Sequence, residues 1–412
     1  MMEERAPVLR TTPKALRDFV FPLGVFAFSV CLMLGMAALT ASSPFMVGEV
    51  IIPTYTDLPQ LDEMESALLA PWQHWDGMWY LKIATHGYAY EDFSLAFFPA
   101  YPLLVRLVGD ALNTIYLLSA VLVSGASYAT GLVFVYKLAR LEGGEPFARR
   151  SVLYLALFPT AFFFLAVYTE SLFLAFTVSA FYFARKGSWA AAGTLGMMAA
   201  LTRSTGLLLV VPFAIEYLSQ RQFRLNRIRF NVLAVLLVPL GTAAYAVYNR
   251  LVFDDALGFV SAQDHWERSL ALPWDTLHTA IKLSLTGSNH ELYAPFSSSL
   301  IWQLLNLGNM LNGHAVNLGF FLFAAVVVAL GSRYLRVPYT IYAALALLVP
   351  LCNPSQIMPL LSAPRFVLVL FPIAFVLARF GERPAFHLPV LASFVFALVV
   401  LTVRFAAGYW VA

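Results

Sequence analysis

Charge is scarce in this chain. Asp, Glu, Lys and Arg make up 12% of its 412 residues and hydrophobic residues 60%, whereas soluble domains are about a quarter charged and near half apolar. A soluble globular fold is thereby excluded, and the composition specifies a polytopic membrane protein. The net charge of +3 gives no sign of a nucleic-acid surface. Cysteine is nearly absent: Cys31 falls within an apolar run and Cys352 near a loop, which suggests neither a disulfide framework nor a zinc site. Also missing are a Gly-rich phosphate loop, a Walker sequence, a G-x-S-x-G elbow and an acid pair in an inner loop. That argues against a soluble nucleotide donor handled on the cytoplasmic face. No tandem repeat, low-complexity tract or soluble domain boundary interrupts the sequence, so residues 1–412 read as a single membrane domain. The basic N-terminus runs into an apolar stretch without a persuasive cleavage site, as expected of a retained first span.

Apolar runs able to cross a hydrocarbon core of about 30 Å fall at 19–41, 114–136, 150–167, 169–185, 188–202, 204–218, 230–252, 314–331, 337–351, 364–380 and 387–408. The expected fold class is an all-α polytopic membrane protein of about 11 transmembrane helices, in a range of about 10 to 13. Two further stretches, 95–109 and 298–312, are short and interrupted by polar residues or Pro, which suits juxtamembrane or re-entrant segments. With the N-terminus in the cytoplasm, 18 of the 26 Lys and Arg gather on the inner side, while the other eight and 16 of the 23 acids lie outside. This arrangement holds only if 95–109 does not cross. Hydrophilic sequence then accumulates outside, in a first outer loop at 42–113, with juxtamembrane helices and the catalytic motif, and a second at 253–313. Function is expected there.

Five clusters are candidates. In HWDGMWYLKIATHGY, Asp76 stands among Trp75, Trp79 and Tyr80, and the aromatic spacing fits one face of a helix lying on the membrane. Rings stack on the apolar faces of sugars while an acid handles hydroxyl protons; the plainer reading is an aromatic belt with one solvated acid. His74 and His86 make a weak ligand set, so no metal is expected. FFPAYP, with Tyr101, follows. In FPTAFFFLAVYTESLF, Tyr168 and Glu170 occupy an outer turn, and an acid so close to hydrocarbon is a functional suspect unless it merely reaches water. Arg203 in LTRSTGLLL and Arg365 in SAPRFVLVLFP open the outer ends of apolar helices, where they suit a clamp on a lipid phosphate. An Arg203–Glu170 ion pair is the structural alternative for the first, and snorkelling for the second. In FVSAQDHWERS, Gln263, His265 and Trp266 make a plausible sugar-contact set, as well as an ordinary solvated loop.

Taken in order, HWDGMWYLKIATHGY, AFFPAYPLL, FPTAFFFLAVYTESLF, LTRSTGLL and APRFVLVLFP resemble the successive signature segments of the PIG-V mannosyltransferases, in their bacterial branch. The likeness runs from about residue 70 to 375. It implies a GT-C glycosyltransferase whose first outer loop carries the essential acid, here Asp76, and a polyprenyl-phosphate sugar as donor. Some related GT-C enzymes carry two adjacent acids in that loop, whereas Gly77 follows Asp76 here. The expectation is therefore an inverting transfer of mannose, without cofactor or metal, to a hydroxyl of a lipid-linked or exported acceptor. Asp76 would be the base, Arg203 and Arg365 would hold the leaving phosphate, and Trp75, Trp79, Tyr80, Tyr101, Tyr168, Glu170, Gln263, His265 and Trp266 would line the substrate site. The short chain without long luminal insertions suits a bacterial plasma membrane, with the active site on its outer face and the lipid bilayer as surroundings. A transporter or flippase of lipid-linked sugars would use similar residues but show internal repeats and broken helices, and a non-catalytic assembly subunit would leave Asp76 dispensable. The sequence does not decide the sugar, the linkage, the acceptor or a need for a partner subunit.

Overall fold

The computed structural model describes residues 14–41, 61–286 and 313–411, all of them helical or in the connections between helices. The elements are α1 (Lys14–Ala41), α2 (Glu63–Leu69), α3 (Asp76–His86), α4 (Ala100–Leu112), α5 (Tyr116–Ala156), α6 (Glu170–Arg185), α7 (Trp189–Thr202), α8 (Val210–Gln220) and α9 (Leu237–Phe253). After a single turn, α10 (Gly258–Ser261), come α11 (Pro273–Thr286), α12 (Gly313–Gly331), α13 (Val337–Cys352), α14 (Ala363–Leu368), α15 (Phe371–Phe380) and α16 (Pro384–Ala406).

Among the described residues, five segments are long and apolar enough to cross a membrane: 18–41, 116–156, 230–253, 313–331 and 384–406. How much of each is covered by protein separates their positions. The apolar windows of α1 and α16 are only 17% buried and that of α5 is 56% buried, so α5 is central and α1 and α16 turn most of their surface to lipid. The other expected spans are shorter helices, among them α7, α13 and α15.

Four expected spans are not continuous α-helices; one of them, 230–252, begins as a 3-10 helix (Phe230–Leu236). In place of a helix over 150–167, α5 ends at Ala156, and a buried irregular stretch with one 3-10 turn (Ala161–Phe164) leads to α6. Non-helical backbone at such depth requires partners from the protein. They are present: Val167 N–H donates to Trp72 O at 2.9 Å, and Ser124 Oγ and Thr160 Oγ1 donate to Ala166 O and Pro364 O. The run 204–218 begins as a 3-10 helix (Ser204–Leu209), and 364–380 breaks between α14 and α15, where Pro372 cannot donate to a continuing helix. Within α5 the backbone leaves helical geometry at Gly144 (φ 78°), two residues before Pro146.

The stretch 95–109 contains the 13-residue α4, which is about 20 Å long at 1.5 Å per residue. It is two-faced: Tyr101 and Val105 are buried, and Leu103, Leu107 and Leu112 are exposed. The stretch 298–312 lies outside the described residues. Small residues set the approach of α7 to the 230–253 span. A Cβ on Gly193 would stand 2.0 Å from Ala234 O, and one on Gly241 2.3 Å from Met197 O, the close backbone contact that small residues permit between membrane helices.

Candidate active site

The site is built on a turn that helical propensity alone would not make. Trp75, the residue before α3, holds φ 58° and ψ −120°, an uncommon conformation for a bulky side chain. Neighbouring groups fix it. Tyr168 Oη donates to His74 O at 3.0 Å, and Gly77 N–H donates to the same carbonyl at 3.2 Å. Trp75 also meets Trp410 edge-on at 4.9 Å. Asp76 is thereby the first residue of α3, its side chain 21% exposed while its partners are almost covered.

Four charged side chains meet there. Arg365 Nη1 donates to Asp76 Oδ2 at 2.5 Å, and its Nε donates to Glu170 Oε1 at 2.9 Å. Arg203 Nη1 donates to the same Glu170 oxygen at 2.7 Å and to Thr169 Oγ1 at 3.3 Å. Both guanidinium groups also lie over aromatic faces, Arg365 at 4.5 Å from the Tyr168 ring centroid and Arg203 at 5.4 Å from that of Phe366. Glu170 is fully buried, and its Oε2 has no hydrogen-bond partner among the described residues. The structural alternative for Arg203, pairing with Glu170, is thus what the geometry contains; Arg365 likewise holds two carboxylates and does not snorkel.

The remaining candidates fall into two groups. Trp79 stacks on Phe97 at 5.6 Å, and Trp266 meets these two rings edge-on at 6.3 and 5.5 Å, so the segment around 266 joins residues 79–97 in one aromatic wall. His265 extends it by stacking on Phe93 at 4.4 Å, and Gln263 is half-buried alongside. Tyr80, Tyr101 and Tyr168 lie behind this surface. Tyr101 is fully buried and bonded to Ser124 and Ala120 O, and Tyr168 holds the Asp76 turn. Burial and Glu170 push the Tyr80 pKa up to about 12, with Arg203 opposing, so this phenol keeps its proton. Burial also lowers the His74 pKa against a hydrogen bond to the Ala406 backbone, so this imidazole is neutral at pH 7. Among the described residues no group of three or more His, Cys, Asp or Glu could hold a metal ion.

Residues the sequence did not single out complete the setting. Phe405 packs against Trp72, His74, Phe163 and Tyr168, which brings the end of α16 beneath the turn. Arg268 lies within electrostatic range of Asp76, Arg203 and Arg365. It stands two residues beyond Trp266, in a polar loop where one more cation carries no distinguishing signal. Beside Arg203 lies a small, partly open apolar crevice, lined among others by Phe173, Tyr342, Val349, Phe366 and Leu370. Arg203 is its single charged wall.

Fold and site define a helical integral membrane protein with an acid–arginine centre, walled by aromatic rings, at one end of its bundle. The sequence profile described as Mannosyltransferase (PIG-V) matches residues 23–240, more than half of the chain, and the chain belongs to that family. Similar curated proteins include a GPI mannosyltransferase 2 of Drosophila pseudoobscura pseudoobscura (33% identical over 125 residues, 28% of this chain and 27% of that protein). The GPI alpha-1,6-mannosyltransferases 2 of Rattus norvegicus (32% over 160 residues) and Homo sapiens (34% over 161 residues) each match 36% of this chain. The match spans about a third of those two relatives' own length, 32% in each. Among solved structures, ArnT from Cupriavidus metallidurans bound to undecaprenyl phosphate aligns over 92% of this chain and 77% of its own, with 15% identity and a TM-score of 0.42. The Archaeoglobus fulgidus oligosaccharyltransferase tethered with an acceptor peptide aligns over 96% and 56%, with 12% identity and a TM-score of 0.43.

Proposed function

We propose that the protein is an inverting mannosyltransferase that moves mannose from a polyprenyl-phosphate donor to a hydroxyl of a lipid-linked or exported acceptor. The observation that carries this reading is the state of Asp76. Arg365 holds one of its oxygens, and the other has no protein partner among the described residues, on a side chain that stays 21% exposed. A carboxylate so oriented can accept a proton, with Arg365 in the part of the group that aims a base. In the proposed step the acceptor oxygen passes its proton to Asp76 as it bonds to the anomeric carbon. The bond from that carbon to the phosphate oxygen breaks, polyprenyl phosphate departs, and the anomeric configuration inverts. General-base assistance of this kind contributes roughly 10²- to 10⁴-fold. The cations around the centre favour the charge gathering on the leaving phosphate.

We place the enzyme in a bacterial plasma membrane, N-terminus inside and site outside. In support, every ion pair among the described residues joins side chains that the distribution of basic residues assigns to one and the same face, as in Arg185–Glu216 and Arg336–Glu216 inside and Arg365–Asp76 and Lys82–Asp92 outside. The test is transfer by purified protein supplied with radiolabelled polyprenyl-phosphate mannose and total lipid. Label should enter acceptor lipid from this donor and not from nucleotide-activated mannose. Transfer from the nucleotide sugar alone would overturn the reading.

A further inference from the structure

Two arginines of the centre are already matched by two carboxylates: Arg203 and Arg365 against Glu170 and Asp76. A phosphate arriving there would have to compete with bonds of 2.5 to 2.9 Å that are buried or nearly so. Arg268 differs. Its guanidinium donates to a backbone carbonyl, Asn353 O, at 3.1 Å, and no carboxylate pairs with it among the described residues. With Arg268 included, the five charges around the centre sum to +1.

Its position is built and not a matter of a loose loop. Residues 267–271 run antiparallel to 352–356: Gln356 N–H donates to Glu267 O at 3.0 Å, Ser269 N–H to Pro354 O at 3.2 Å, and Ala271 N–H to Cys352 O at 3.0 Å. Arg268 and Ser355 face each other as the bridged pair, and residues directly opposed in such a pair project side chains to the same face, about 5 Å apart. Ser355 is 1% exposed, and its Oγ has no partner among the described residues. An unpaired buried hydroxyl costs about 1–3 kcal/mol, so its place beside an unneutralised cation is itself a mark of a ligand. Burial lowers the Arg268 pKa, Asp76 raises it, and Arg365 and Arg203 lower it further; the nearby cations are the features an anion would relieve.

We infer that Arg268 and Ser355 form the subsite for the phosphate of the lipid-linked donor, while Arg203 and Arg365 chiefly hold Glu170 and aim Asp76. The inference rests on the lipid-phosphate donor proposed above. A doubly charged monoester, the form in which the carrier leaves, suits one guanidinium plus one hydroxyl in a site of net positive charge.

The test reads binding and not turnover: the affinity of detergent-purified protein for undecaprenyl phosphate, with undecaprenol as the uncharged control. Arg268→Gln keeps a donor for Asn353 O but removes the charge, and should weaken undecaprenyl phosphate binding about 10- to 100-fold, as for a lost hydrogen bond to a charged group. Arg268→Lys should weaken it less, and Ser355→Ala a few-fold. Undecaprenol affinity should not move in any of the three, and an unchanged unfolding temperature shows that the variants fold. Equal affinity of wild type and Arg268→Gln for undecaprenyl phosphate would overturn the inference and leave the donor class standing. Failure of the wild type to prefer undecaprenyl phosphate over undecaprenol would overturn the donor class itself.

Discussion

Glu170 binds two arginines through one oxygen, and this decides how its neighbours respond to substitution. Removing one member of a buried ion pair leaves an uncompensated charge, which costs about 3–5 kcal/mol, whereas removing both is often close to neutral. Glu170→Ala and Arg203→Ala should therefore each lower the unfolding temperature in detergent, and the double variant should lower it by less than the sum. Full recovery is not expected, because Arg365 also loses its bond to Glu170 while keeping Asp76. Strict additivity in the double variant would show that the pair is not coupled. The sequence offered this pairing as one of two readings. It could not choose, because an arginine and a glutamate 33 positions apart reveal their contact only once α6 and the end of α7 are docked.

Helices were easier to read than their ends. Long apolar runs such as 313–331 and 384–406 are legible because lipid enforces both length and composition. The break after Ala156 was not legible: LALFPTAFFFLAV is as apolar as a span, and only the surrounding protein supplies partners for its irregular backbone. The small residues of α7 lead to a test at this scale. Gly193→Val sets side-chain atoms against the Ala234 carbonyl, and overpacking of this kind costs about 1–3 kcal/mol. The unfolding temperature should fall, and activity at low temperature should fall too, because α7 carries Arg203 at its C-terminal end. An unchanged unfolding temperature would mean that α7 and the 3-10 helix before α9 separate without cost.

Over the whole molecule, charges sort into two layers. One gathers Glu142, Arg185, Glu216 and Arg336, the other Asp76, Glu170, Arg203 and Arg365. The separation follows from the sequence by counting basic residues, since each loop of a membrane protein has only two sides to choose from. Which residues of a layer meet the substrate does not follow, and Arg268 entered only through tertiary pairing. Orientation can be read directly in a variant whose Cys31 and Cys352 are replaced. The exposed Glu91 and Ser332 belong to opposite layers. Glu91→Cys should react with an impermeant thiol reagent added outside intact cells and Ser332→Cys should not; the reverse pattern would put the site in the cytoplasm. The central claim is that one carboxylate of the second of these layers, Asp76, takes the acceptor proton. It is tested most directly by the initial rate of mannose transfer from polyprenyl-phosphate mannose by Asp76→Asn, with donor binding measured on the same preparation. The account predicts near-normal donor binding and a rate reduced by at least about a hundredfold, the low end of general-base contributions. Transfer at close to the wild-type rate would contradict it.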